Sequence, residues 1–153
     1  MVYRHWLFKS EPGSYSYEDL FRDKIAEWDG VRNFQARNFL RDDIKVDDSV
    51  LFYHSNTVPT AVIGTALVVR DGYPDYTAWD KDSAHPDPKS TPANPIWYMV
   101  DLRAQEHFGK PVTLHAMRSN PLLKDMILLR KGMRLSVQPV TSEQFQIICE
   151  MGR

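Results

Sequence analysis

Two apolar runs in this chain end on side chains that could do chemistry. Trp6-Leu7-Phe8 stops at Lys9-Ser10-Glu11 and is then broken by Pro12-Gly13, and Leu51-Phe52-Tyr53 stops at His54-Ser55-Asn56. Lysine and serine donate hydrogen bonds and glutamate accepts them. A Glu or His at a pocket edge can be tuned for general acid–base work. A third cluster, "EWDGVRNFQARN" at residues 27–38, sets Trp28 beside the turn signal Asp29-Gly30 and then a run of guanidinium and amide groups, Arg32, Asn33, Gln35, Arg37 and Asn38. A flat aromatic face beside bidentate hydrogen-bonding groups suits a planar heterocycle. Stacking contributes about 1–3 kcal/mol per base, and amides can read Watson–Crick edges. The competing reading makes Trp28 a core residue and Asn33 a helix cap. Either polar triplet, taken alone, is more often an exposed strand end than a wall, but two that converge would frame a pocket.

Catalytic templates are missing. The chain has no GxGxxG, P-loop, GxSxG, HExxH or CxxC pattern. His5, His54, His85, His107 and His115 are scattered without metal-ligand spacing. Cys149, the one cysteine, sits among apolar residues, where burial raises a thiol pKa and leaves it inert. The expectation is a binding protein with neither metal nor cofactor. Its rivals are an enzyme acting on nucleotides or nucleic acid through Glu11 or His54, and a small-molecule or protein-interaction module.

The elements that must position these residues are short. Tyr3 to Phe8 reads as a strand. Ser16 with Asp19 three residues on makes a capping box for a helix from Tyr17 to about Lys24. Asn33 caps a second helix, Phe34 to about Arg41, with Phe34, Phe39 and Leu40 as its apolar contacts. "DDSVLFYHS" alternates as a strand, and "AVIGTALVVRDGY" is β-rich, with Gly64 a bulge or a point of close approach. Residues 74–95 hold five of the ten prolines and no periodicity, so they read as one long loop. "IWYMVDLRAQEHF" is a long strand, with short helical pieces at Leu114–Ser119 and near Leu122–Asp125. In "LSVQPV", Leu135 and Val137 alternate with Ser136 and Gln138. Thr141 and Gln144 cap a closing helix whose buried stripe is Phe145, Ile148 and Cys149. Many strands with short helices at their ends imply an α+β fold built on a mixed sheet or small barrel, not a βαβ fold.

At 153 residues, 42% hydrophobic and 25% charged, the chain suits one globular domain. It shows neither a bilayer-spanning apolar run nor a secretory h-region, so a soluble cytoplasmic protein is expected, or a nuclear one in a eukaryote. The formal net charge of −1 gives no global case for nucleic acid. The basic residues are nonetheless clustered. Arg32, Arg37 and Arg41 form one group, and residues 118–134 carry Arg118, Lys124, Arg130, Lys131 and Arg134 against Asp125 alone. Such stripes can track a phosphate backbone, or simply lace the surface with salt pairs.

Six phrases, "WLFKSEP", "WDGVRNFQARN", "VLFYHSN", "NPIWYMVDL", "LLRKGMRLSVQPV" and "TSEQF", occur in an order and spacing that closely resemble the EVE domain family from about Trp6 to Phe145. The resemblance implies a single EVE domain over residues 1–153, folded as a PUA-like pseudo-barrel of mixed strands flanked by short helices. It also implies a partner, DNA or RNA carrying a modified base such as methylated or hydroxymethylated cytosine, bound by a monomer. In the related YTH domains, a Lys-Ser pair matching Lys9 and Ser10 approaches the edge of a methylated base, and an aromatic cage wall matches Trp28. On that likeness the pocket takes in Lys9, Ser10, Glu11, Trp28, Asn33, His54 and Ser55, with Ser136 and Gln138 from the late strand. The second aromatic wall falls to Tyr73 and Trp79, with Trp97 as the third choice. Arg32, Arg37, Arg41, Lys131 and Arg134 are the expected phosphate contacts.

Overall fold

Successive residues of a strand point to opposite faces, and the first strand of this protein, β1 (His5–Ser10), buries both. Trp6 and Phe8 enter one apolar cluster with Tyr17, Leu40, Phe52 and Val137. Leu7 enters a second with Leu51, Phe108, Met117 and Ile148. The computed structural model describes residues 2–153. After β1 come β2 (Ile25–Glu27), β3 (Ser49–His54), β4 (Ala61–Pro74), β5 (Tyr98–Thr113) and β6 (Val137–Val140). They form one mixed sheet in the order β2-β5-β4-β3-β1-β6, in which β1 runs parallel to β3 and antiparallel to β6.

The helices cover both faces. α1 (Tyr17–Asp23) starts at the expected capping box of Ser16 and Asp19, and α2 (Phe34–Asn38) is capped by the Asn33 side chain. Both pack on the first cluster. α3 (Leu114–Arg118) and α4 (Ser142–Gly152), the latter opened by the Thr141–Gln144 box, pack on the second. This is the expected α+β architecture, a pseudo-barrel flanked by short helices. The long strands β4 and β5 bend it through repeated shifts of register, one of them at Gly64. A Cβ there would lie 2.5 Å from the Glu106 carbonyl oxygen, so Gly64 is a site of close approach as its setting in the strand suggested.

Several boundaries differ from the sequence reading. β1 begins later and runs on through Lys9 and Ser10, so the polar residues belong to the strand. β2 is new: three residues, none buried, carry no periodic signal, and only pairing with β5 defines them. The helix after Asn33 changes at Phe39 to a π-turn that ends at Asp43. Ala36 and Leu40 anchor this segment, whereas Phe34 is 59% exposed and packs its ring on Trp97 at 4.9 Å. The long strand starts at Tyr98, two residues after Ile96. Residues 74–95 are built around a 3-10 turn at Tyr76–Trp79 and pinned by the fully buried Asp75 and Ser90. Among the described residues, no helix is long and apolar enough to cross a membrane.

Candidate functional site

A cavity of about 650 Å³ opens where β1 ends beside β2. Three stretches of chain wall it, and each is held by an identifiable contact. The first is the end of β1. Beyond Ser10 the chain turns sharply: the amides of Ser14 and Tyr15 both donate to the Glu11 carbonyl, and the Ser10 hydroxyl donates to the Tyr15 carbonyl. The turn brings Tyr15 back over the cavity. Its hydroxyl donates to Asp23 at 2.8 Å, and burial together with that carboxylate raises the phenol's pKa, so it stays a donor. Lys9 is half-buried and donates from Nζ to the Met133 carbonyl at 3.2 Å. Desolvation lowers its pKa, and among the described residues no carboxylate pairs with it.

The second wall is the segment after β2. The Trp28 amide donates to the Val100 carbonyl at 2.8 Å, extending the sheet by one residue. The indole packs tilted on Phe8 at 5.6 Å and edge-on to Phe52 at 5.5 Å and Tyr15 at 6.2 Å. Trp28 is therefore core and cavity wall at once, which joins the two readings its sequence setting allowed. Apolar Ala26 and Val31 flank it, with the carboxylates of Glu27 and Asp29 nearby.

The third wall comes from the long loop, through Ala84 and His85. The loop is tied down by Asp75, whose Oδ2 accepts from the Gly30 amide (2.8 Å) and from Arg32 Nη1 (2.9 Å). Thr77 hydrogen-bonds the other carboxylate oxygen. Burial alone would raise the Asp75 pKa, but these donors more than offset it and hold the carboxyl below its ordinary value. Arg32 also donates from Nη2 to the His85 carbonyl at 2.9 Å. Gly30 has φ +82°, and a Cβ on it would sit 2.8 Å from the His85 ring, so any other residue there would strain the turn and displace His85. His85 Nε2 lies 3.3 Å from Asp29 Oδ2 in a geometry that makes no hydrogen bond.

The structure thus gathers Lys9, Ser10, Glu11, Trp28, Arg32 and Ser136 around one cavity. The other expected site residues lie elsewhere. Asn33 spends its side-chain oxygen on the Ala36 amide as the cap of α2. His54 Nε2 accepts from the Tyr17 amide at 3.0 Å and so supports the start of α1; burial lowers its pKa. Gln138 is fully buried opposite Leu7, donating to the Leu135 carbonyl. Tyr73 hydrogen-bonds Asp101 beneath the Arg70 guanidinium, and Trp79 closes the 3-10 turn, so neither is the second aromatic wall. Trp97 is buried and donates to Asp87 at 2.7 Å. The second aromatic side chain lining the cavity is Tyr15, edge-on to Trp28. Glu11, unexplained by sequence, accepts from the Asn56 amide at 2.9 Å and clamps the two polar strand ends together.

The expected phosphate contacts divide as well. Arg32 is committed to Asp75, Arg41 pairs with Asp42, and Arg37 donates to the Ile96 carbonyl. Ser55 and Arg134 line a second, smaller cavity that shares Lys9 with the first. Lys131 is exposed in the turn just before it, closed by the Met133 amide on the Arg130 carbonyl.

With this geometry established, the chain can be placed among known proteins. The family model for the EVE domain matches residues 4–151. The chain belongs to the EVE domain family. Human thymocyte nuclear protein 1 is 37% identical over 166 residues, covering 96% of this chain and 73% of that protein. Among solved structures, a hypothetical protein from Leishmania major superposes with a TM-score of 0.92 at 44% identity, covering 99% of this chain and 95% of its own. The human THYN1 protein, solved in complex with 5-methylcytosine-containing DNA, superposes at 0.89 with 36% identity, covering 97% of each chain.

Proposed function

We propose that this EVE domain, acting as a monomer in the cytoplasm or a eukaryotic nucleus, is a non-catalytic reader of nucleic acid that captures one modified base in the cavity lined by Trp28 and Tyr15. The observation that carries the reading is the cavity itself, in a family whose human member has been solved with 5-methylcytosine DNA. It falls in the range of about 300–1,000 Å³ typical of small-molecule sites and is bounded by an indole already braced from behind. A base must leave the duplex to reach it, at a cost of a few kcal/mol that stacking on Trp28 offsets. Lys9 has one hydrogen committed to Met133 and two left for a base carbonyl or ring nitrogen. Glu27 and Asp29 stand as acceptors for an exocyclic amino group. A methyl group resting on Ala26 and Val31 gains about 0.8 kcal/mol, roughly four-fold in affinity.

The test is a fluorescence-anisotropy titration of short strands carrying 5-methylcytosine, 5-hydroxymethylcytosine or methylated adenine against unmodified controls. A several-fold preference for one modification is expected, reduced in Trp28→Ala and partly kept in Trp28→Phe. Equal affinity for every strand, unchanged by either substitution in folded protein, rejects the reader. A reaction product that disappears in Glu11→Gln would establish the enzyme in its place.

A further inference from the structure

Five of the eleven arginines of this protein pair with carboxylates, and three of the other six share one cavity. Arg4, Arg22, Arg32, Arg41 and Arg153 each lie within 3.3 Å of a carboxylate. Arg118, Arg130 and Arg134 have no carboxylate partner among the described residues, yet all three line the same cavity of about 340 Å³. They come from two places in the chain, Arg118 from the last turn of α3 and the other two from either side of the 130–133 turn. Lys9 closes the ring from β1, held there by its bond to the Met133 carbonyl. Among the described residues, no acidic side chain lines this cavity. Four cations converging without a counter-charge repel one another, and an anion placed among them would relieve that repulsion. Lys9 also lines the base cavity, so the two spaces adjoin through one side chain.

We propose that this second cavity is a phosphodiester subsite, in which Arg118, Arg130 and Arg134 hold the strand backbone next to the nucleotide whose base occupies the first cavity. The inference rests on the reader reading for the class of polymer, but not on which base is recognised. It moves the phosphate-binding role from Arg32, Arg37 and Arg41, which are spent inside the protein or on neighbouring groups, to a set drawn from the basic stripe at residues 118–134, including Arg118 and Arg130, which the family likeness did not carry over. Lys9 then works on both sides: its ammonium can reach the base edge and the neighbouring phosphate, so binding of one prepares the other. Ser55 lines the same groove, and the exposed Lys131 lies in the chain between Arg130 and Gly132, which line it too.

The experiment compares the wild type, an Arg118→Gln/Arg130→Gln/Arg134→Gln variant, and a control of equal charge change, Arg22→Gln/Arg41→Gln/Arg153→Gln. Each is titrated with a short unmodified single strand and with its 5-methylcytosine counterpart between about 50 and 200 mM salt. Each lost phosphate contact reduces the slope of log affinity against log salt by about 0.7, so the groove variant is expected to lose roughly 2 units of slope. The control keeps the wild-type slope, and the affinity ratio between the two strands is the same in all three proteins. A groove variant with the wild-type slope overturns the proposal, as does a control that loses as much slope as the groove variant. Failure of the reader reading looks different: the two strands then bind equally in every protein, while the slope still separates groove from control.

Discussion

Arg32 separates two roles that its sequence setting left together. As a phosphate ligand it would be free at the surface; in the structure it holds a fully buried carboxylate. Arg32→Ala leaves Asp75 with only the Gly30 amide and Thr77, and also removes the bonds to the His85 carbonyl and the cation–π contact with Trp97 at 5.5 Å. Breaking one side of a buried ion pair costs about 3–5 kcal/mol. Because the arginine side chain keeps 21% of its exposure and water screens part of the pair, the lower end applies, about 3 kcal/mol. With a urea slope of about 1–3 kcal/mol/M, the unfolding midpoint at pH 7 should fall by about 1–3 M. The pH dependence supplies a second check. In the wild type the Asp75 pKa is depressed, so its contribution is present above the unfolded value near 3.9 and is lost as pH falls through the lower folded value. Removing the guanidinium raises the folded pKa, so acidification relieves the variant before it harms the wild type, and the gap between them narrows from pH 7 towards about 4. Equilibrium urea melts at both pH values measure this. A loss under about 1 kcal/mol at pH 7, or a gap that does not narrow on acidification, refutes the anchoring role. So does an intact melt accompanied by a reduced salt slope in nucleic-acid binding.

Two other substitutions test the scaffold. His54 has its pKa lowered by burial and accepts from the Tyr17 amide, so its contribution is complete above the unfolded value near 6.5 and declines as pH falls below it. In His54→Gln, whose amide oxygen can accept without titrating, the fall in melting temperature between pH 7 and 5.5 should be shallower than in the wild type; parallel curves would contradict this. Gly64→Ala places its methyl 2.5 Å from the Glu106 carbonyl and 2.7 Å from the Tyr17 ring. Overpacking against backbone should cost about 1–3 kcal/mol or more in a denaturant melt, and a neutral effect would mean that β4 and β5 separate freely at the bulge.

The sequence showed what local patterning controls. Both capping boxes, the Asn33 cap and the alternating core strands are set by residues a few positions apart, so they can be read without the fold. β2 could not be, because three unburied residues become a strand only when β5 lies beside them. The cavity followed the same division. Lys9, Ser10 and Trp28 stand out through their setting in the chain. Tyr15 is brought over the cavity by a turn whose bonds run to the Glu11 carbonyl, and His85 by a loop anchored 45 residues away at Gly30. The one local clue to that loop was Asp75 placed to cap the 3-10 turn through the Thr77 amide. Choosing Tyr73 and Trp79 as the second wall failed for a related reason. Both are aromatic and on or near the loop, but Tyr73 is bonded to Asp101 of β5, Trp79 ends the 3-10 turn, and neither lines the cavity.

The position of the cavity follows from the sheet's topology. Hydrogen bonding runs from β2 to β6 and stops, so the curled sheet has two free edges where a closed barrel would have a ladder. Ala26 and Glu27 on β2 line the same space as Ser136, the residue before β6. The cavity therefore occupies the seam, and an inserted base would separate no paired strands. Lys9 comes from the one strand that joins the seam to the centre of the sheet, paired on one side with β3 and reached on the other by its amide donating to the Ser136 carbonyl at 2.9 Å. A cation there is fixed by a strand buried on both faces while its ammonium reaches the edge. This also explains how "FKSEP" can be at once a strand that starts the core and the rim of a polar site: the apolar half fills the two clusters, and the polar half reaches the opening between them.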